Sequence, residues 1–352
     1  MTPRIVTTIV LLVLVCLPRF NMWDPGPMRG WTTTSRVVPW GHPIDVEGYV
    51  RLVKYFRGEA AAGELIGPFS SRPLGPALAA AIPVEPITAL NLVNLASLIV
   101  TLWLLDATCG LLGLGSRARW AAALLFVLSF PTFYYGTIGF VDPVALAASA
   151  LVLMLVLRGA PLAALVPAIA FGVLAKETNA ALALLLIGAG VARRSVGAAT
   201  IRAAALLAAG LATFLLVQAL MPSPGQDLRP LPRLAVAIEN LSRPRTYLSL
   251  ALSIAIPAVL AAVALWTGRA RGVIPREALA VLLAGAGLSA GVYVASIFGA
   301  YTDGRLIWSA YPFVVPIAAT LWDTRERVND ERASGPSDPG PKTMWTYHVR
   351  SS

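Results

Sequence analysis

The chain has 352 residues, of which 57% are hydrophobic and 13% charged, with a mean hydropathy of +0.71. Soluble domains carry roughly 25% charged residues, so an ordinary soluble protein is excluded, and so is a disordered chain, which low hydrophobicity keeps unfolded. The formal charge of +10 (28 Lys and Arg against 18 Asp and Glu) is scattered between apolar segments; with no finger motif, RNA-binding signature or long basic run, it points to membrane orientation and anionic lipid, not to nucleic acid.

Apolar runs of about 15–22 residues recur along the chain, near the ~20 that a helix needs to cross ~30 Å of hydrocarbon. The expected fold is all-α, a polytopic transmembrane helix bundle of about ten spans. The first span covers 5–18. A cleaved signal peptide is the rival reading, but Pro18-Arg19-Phe20-Asn21 is a poor cleavage site. A long outer loop rich in Pro, Gly and Trp follows over 19–74. Further spans are expected at 87–105, 120–140, 143–157, 160–175, 179–192, 203–221, 247–266, 278–298 and 306–322, with a second outer loop over 222–246. The membrane domain thus occupies 1–322, and the polar tail 323–352 has the composition of a disordered segment. Cys16 and Cys109 both fall in apolar runs, so neither a disulfide framework nor metal spacing is expected.

Ten crossings put both termini on one side. The tight turns on that side hold Arg117, Arg119, Arg158, Arg193, Arg194, Arg202, Arg269, Arg271 and Arg276; those opposite hold only Lys176 and Arg305, each beside an acid. Positive charge in short loops marks the cytoplasmic side, so both termini are expected there and both long loops outside. The outer cations Arg51, Lys54, Arg57, Arg72, Arg229, Arg233, Arg243 and Arg245 run against this rule. Lipid headgroups and an anionic ligand both account for them.

From Asp45 the run DVEGYVRLVKYFRGE puts Val46, Tyr49, Val50, Val53 and Phe56 on one helical face, with Arg51, Lys54 and Arg57 beside it. Such a helix is expected to lie in the interface plane. Other ionisable residues interrupt apolar runs at Asp142, at Lys176-Glu177 and at Arg305, and charges at membrane depth are functional candidates. Each also has a plain reading. Asp142-Pro143 fits a helix N-cap followed by Pro at the first position. Asp45 fits a cap, Lys176 a snorkelling turn residue, and Arg305 an interface anchor.

The pattern resembles the GT-C class of membrane glycosyltransferases, most closely relatives of protein O-mannosyltransferases and lipid A aminoarabinose transferases. Five places carry the likeness. Asp45-Val46-Glu47, followed by Tyr49, is similar to a modified DxD motif, and Pro68-Phe69-Ser70-Ser71-Arg72-Pro73-Leu74 to the "pf-x-x-R-P-L" opening of the second span. Val141-Asp142-Pro143 resembles the "D-P" start of a middle span and Leu174-Ala175-Lys176-Glu177 the "l-x-K" turn. Arg305-Leu306 with Tyr311-Pro312 resembles the "R-y-l-l-p-x-x-P" last segment. The chain departs from the class in lacking a large soluble C-terminal domain and in separating the two loop acids by Val46.

The resemblance implies an inverting transfer of a sugar from a polyprenyl-phosphate donor to an acceptor hydroxyl of a lipid, glycan or protein, at the outer face of a bacterial inner membrane. It implies Asp45 as the base, with Glu47 or Asp142 positioning the acceptor; Arg72, Lys176 and Arg305 at the donor phosphate; and Tyr49, Glu177 and Tyr311 lining the sugar or acceptor. No metal ligand is assigned, and Mg²⁺ or Mn²⁺ is admitted without being required. A transporter or lipid flippase, and an inactive GT-C-like assembly subunit, are the competing readings.

Overall fold

A computed structural model describes residues 2–21, 44–222, 224–227, 233–299 and 303–324. Positions 22–43 of the expected first outer loop, 223 and 228–232 of the expected second, and 325–352 of the expected tail lie outside the described residues. Regular structure among the described residues is helical, apart from a parallel pairing two residues long that sets Ile66-Gly67 beside Gln226-Asp227.

In chain order the helices are α1 (Pro3–Cys16), α2 (Ile44–Phe56), α3 (Leu74–Ala80), α4 (Pro86–Leu111), α5 (Ser116–Val127), α6 (Phe130–Tyr135), α7 (Asp142–Leu157), α8 (Leu162–Ala175), α9 (Leu185–Ala192), α10 (Val196–Leu220), α11 (Leu234–Ser242), α12 (Pro244–Trp266), α13 (Arg269–Val273), α14 (Arg276–Gly299) and α15 (Tyr311–Ala319). Four of them, α4, α10, α12 and α14, are 23–26 residues long and apolar enough to cross a membrane. The other expected spans are shorter or broken, for local reasons. The run 120–140 divides into α5 and α6 because the Ser129 hydroxyl accepts the Thr132 N–H with Pro131 between them, a helix start that ends the preceding helix. The run 179–192 opens as a 3₁₀ stretch, Glu177–Leu184, before α9, and the last span opens as a 3₁₀ stretch, Gly304–Ala310, before α15.

Helix α7 is the axis of the bundle. It packs on α4 and α8, and twelve of its sixteen residues are buried, so its apolar surface is covered by protein all round. By contrast α10 and α12 bury few of their apolar side chains and leave the rest at least partly exposed, with Leu220 at 74% and Ile256 at 69%, as lipid-facing helices do. The apolar face of α2 turns onto the bundle: Val46, Tyr49, Leu52 and Val53 are all buried, and the helix packs on α3 and α4. That contact is close because position 139 is glycine, with a φ of +97° and with room for no Cβ, which would stand 2.6 Å from Val46 Cγ1.

The loop before α7 is fixed from α4. Asn91 accepts the Gly139 N–H at 2.7 Å and Asn94 donates to the Phe140 carbonyl at 2.5 Å. On the other flank Asn179 donates to the Ala145 and Gly172 carbonyls and accepts from Ser149. These buried amides set the height of Asp142 and Lys176 at one end of the bundle.

Candidate functional site: a closed ring of ion pairs

Seven side chains from five separate segments meet at this end. Arg305 donates to Asp45 Oδ2 at 2.6 Å across 260 residues of sequence, and its Nε stands 3.5 Å from Asp142 Oδ2. Lys176 donates to the other Asp142 oxygen at 2.7 Å. The neighbouring Glu177 accepts two bonds from Arg72, at 2.8 and 2.6 Å, a fork geometry suited to a guanidinium and a carboxylate. Arg72 also donates to the Tyr49 hydroxyl at 2.8 Å. Tyr49 lies one turn after Asp45 on α2, on the same face, which closes the ring.

The ring holds three cations and three carboxylates. Its charged side chains are 12–31% exposed, so they are sheltered but reachable from outside. Burial disfavours the charged form of Arg305, but Asp142, Asp45 and Asp303 more than offset it and hold the guanidinium well above its ordinary value. Arg72 behaves likewise: burial lowers it, and Glu177 and Tyr49 raise it further. Burial pushes the Tyr49 phenol up to about 12, so it stays protonated.

Each chain segment delivers its group for a local reason. Asp45 stands in the first turn of α2, where free N–H groups favour a carboxylate. Asp142 occupies the first turn of α7 ahead of Pro143. Lys176 is extended between α8 and the following 3₁₀ stretch. Arg305 is set by Asp303, whose carboxylate caps the 3₁₀ stretch by accepting the Arg305 N–H at 3.0 Å. Asp303 also accepts the Tyr135 hydroxyl at 2.6 Å and the Ser249 hydroxyl at 3.0 Å, and burial pushes its carboxyl up. The Arg305 guanidinium stacks 3.8 Å over the Phe140 ring.

Two of the nine site residues expected from sequence stand apart. Glu47 is two residues past Asp45, about 200° around the helix, and pairs with Arg51 at 2.8 Å. Tyr311 comes six residues after Arg305, about 12 Å along a 3₁₀ axis, which carries it away from the ring. Its hydroxyl donates to the Ser253 carbonyl at 2.7 Å, and its ring lines an apolar cleft of about 1160 Å³ between α5, α6 and α12. Some of the cations that run against the expected orientation have structural partners. Arg57 donates to the Ala79 and Ile82 carbonyls at the end of α3, and Arg51 to the Glu64 carbonyl.

Asp303, Asn91, Asn94, Phe140 and Trp308 were not expected in the site. Two asparagines three apart in an apolar span, and an acid two residues before an intramembrane-edge arginine, were the available signals. Among the described residues no three His, Cys, Asp or Glu side chains gather to hold a metal ion. Comparison with protein-family models, with curated proteins and with solved structures returned no match.

Proposed function

We propose that the ring is the active site of an inverting glycosyltransferase that moves a sugar from a polyprenyl-phosphate donor to an acceptor hydroxyl. The observation that carries this reading is the convergence of Asp45, Asp142, Lys176 and Arg305, from opposite ends of the sequence, on one half-buried cluster. In this reading the bundle crosses the membrane about ten times, α1, α7, α8, α9 and the other short segments completing the four long helices. Both termini face the cytoplasm, and the ring opens to the periplasmic side of a bacterial inner membrane.

Asp45 takes the acceptor proton, since a hydroxyl is a weak nucleophile near neutral pH and needs a base within hydrogen-bond reach. The acceptor oxygen then attacks the anomeric carbon opposite the phosphate. The carbon–oxygen bond to the phosphate breaks, its electrons stay on the phosphate oxygen, and the anomeric centre inverts. Arg72, Lys176 and Arg305 stabilise the leaving phosphate, exchanging part of their carboxylate contacts for it. Asp142 and Glu177 hold these cations in place before the donor binds, and the Tyr49 phenol, kept neutral, is free to donate to a sugar hydroxyl. No step passes through a metal ion. A transporter reading gains nothing from the buried charges, which gather toward the ends of the bundle and not at its middle.

The test is transfer from a radiolabelled polyprenyl-phosphate sugar by the purified protein in lipid. Asp45→Asn keeps the shape of the side chain and a contact to Arg305, and is expected to lower transfer at least about 10²-fold, the scale of a lost general base. Undiminished transfer in that variant removes Asp45 from the chemistry.

A further inference from the structure

Behind the bridge from Lys176 to Asp142 and Arg305 lies a small polar cavity of about 20 Å³, room for one water-sized group. Arg305, Trp308, Leu306 and Ser309 form its wall on the 3₁₀ stretch. In a 3₁₀ helix residues three apart eclipse one another, so Arg305 and Trp308 share one face. Both leave a buried donor unused: Arg305 Nε and Trp308 Nε1 have no hydrogen-bond partner, and Trp308 is only 1% exposed. Buried donors in folded proteins are almost always satisfied. Both are N–H groups that can only donate, so the cavity suits an acceptor; Lys176 and Arg305 line it against the single carboxylate of Asp142, and that excess of positive charge favours an anionic one.

We propose that this cavity is an oxyanion subsite, in which Trp308 Nε1–H and Arg305 Nε–H together hold one phosphate oxygen of a lipid-linked phosphate. The proposal rests on the donor reading above and adds Trp308 to it as a binding residue. The carboxylate of Asp142 already faces Lys176 and Arg305, so the phosphate oxygen reaches the cavity as Asp142 yields part of that contact.

The experiment measures binding of farnesyl phosphate, farnesol and inorganic phosphate to the purified full-length protein in nanodiscs of zwitterionic lipid. Trp308→Phe removes the N–H and keeps an aromatic ring. Incorporation of benzothienylalanine at position 308 keeps the bicyclic shape without the N–H and decides the matter if the Phe variant does not fold. Either change is expected to weaken farnesyl phosphate about tenfold, the scale of a hydrogen bond to a charged group, and to leave farnesol unchanged. Free phosphate is expected to bind the wild type more weakly than farnesyl phosphate does. Equal farnesyl phosphate affinity in wild type and variants would mean that the cavity holds only water, and would overturn the subsite while transfer by the wild type left the donor reading standing. Equal weakening of farnesol would reduce Trp308 to packing and overturn it too. A wild type that binds farnesyl phosphate no better than farnesol overturns the subsite and the donor reading together, and free phosphate binding as tightly as farnesyl phosphate overturns the lipid-linked assignment.

Discussion

Two buried ionic clusters stand at opposite ends of α4, and they are built differently. At the end where α1 begins, Arg4 and Arg119 clamp Asp106 from two sides, each by its Nε and Nη2, so that both carboxylate oxygens accept two bonds. The cluster ties the start of α1 and of α5 to the end of α4. At the other end, twelve residues or about 18 Å back along the axis from Asp106, Asn94 and Asn91 hold the loop that leads into the ring. There cations and carboxylates share contacts unevenly: Arg305 leaves its Nε without a bond, Trp308 does the same beside it, and a cavity adjoins them. A saturated cluster is suited to holding helices together. An unsaturated one, half open to the outside, is suited to receiving something.

That contrast can be broken by substitution. Asp106→Ala leaves two arginines facing each other in a buried place, and removing one partner of such a cluster costs about 3–5 kcal/mol; thermal unfolding in detergent should show the loss, with the activity of the surviving folded molecules unaltered. Asp142→Asn should do the reverse. Transfer is expected to fall roughly 10²-fold, as befits loss of a positioning carboxylate, while stability drops by only about 1–2 kcal/mol because Arg305 keeps Asp45. A Asp142→Asn variant as unstable as Asp106→Ala would erase the distinction between the two ends. Arg72→Lys retains the charge but loses the fork onto Glu177, and should raise the KM for the donor several-fold with little change in melting temperature. The smallest effect is expected from Arg57→Ala, which uncaps two carbonyls at the end of α3: about 0.5–1.5 kcal/mol, read as a modest melting shift and no kinetic change.

The amino-acid sequence shows the apolar runs clearly, because membrane depth demands them, and it marks Asp142, Lys176 and Arg305 because charges interrupting such runs are rare. It hides the breaks. Nothing in the hydropathy of 120–140 separates α5 from α6; the Ser129 cap and Pro131 do so, and these are local hydrogen-bond facts that an average over twenty residues smooths away. Tyr49 and Glu177 are legible only through their neighbours, since a tyrosine on an amphipathic face reads as packing. Glu47 looks like half of an acidic pair, yet the helical rotation between positions 45 and 47 sends the two carboxylates in different directions. Tyr311 looks adjacent to Arg305 in a motif, but a 3₁₀ start stretches the distance between them. Trp308 is invisible as a polar residue in a hydrophobic segment until its nitrogen is found without a partner.

The short parallel pairing of Ile66-Gly67 with Gln226-Asp227 stitches the connection ahead of α3 to the one after α10. Beside it Gly225 packs against the backbone of Gly63, where any side chain would collide. Arg72 lies five residues beyond Gly67, so the clasp anchors the segment that carries the Glu177 partner. A clasp of so few bonds adds little stability of its own; its consequence is a tether, which fixes the chain just ahead of Arg72 to a partner some 160 residues further along the sequence.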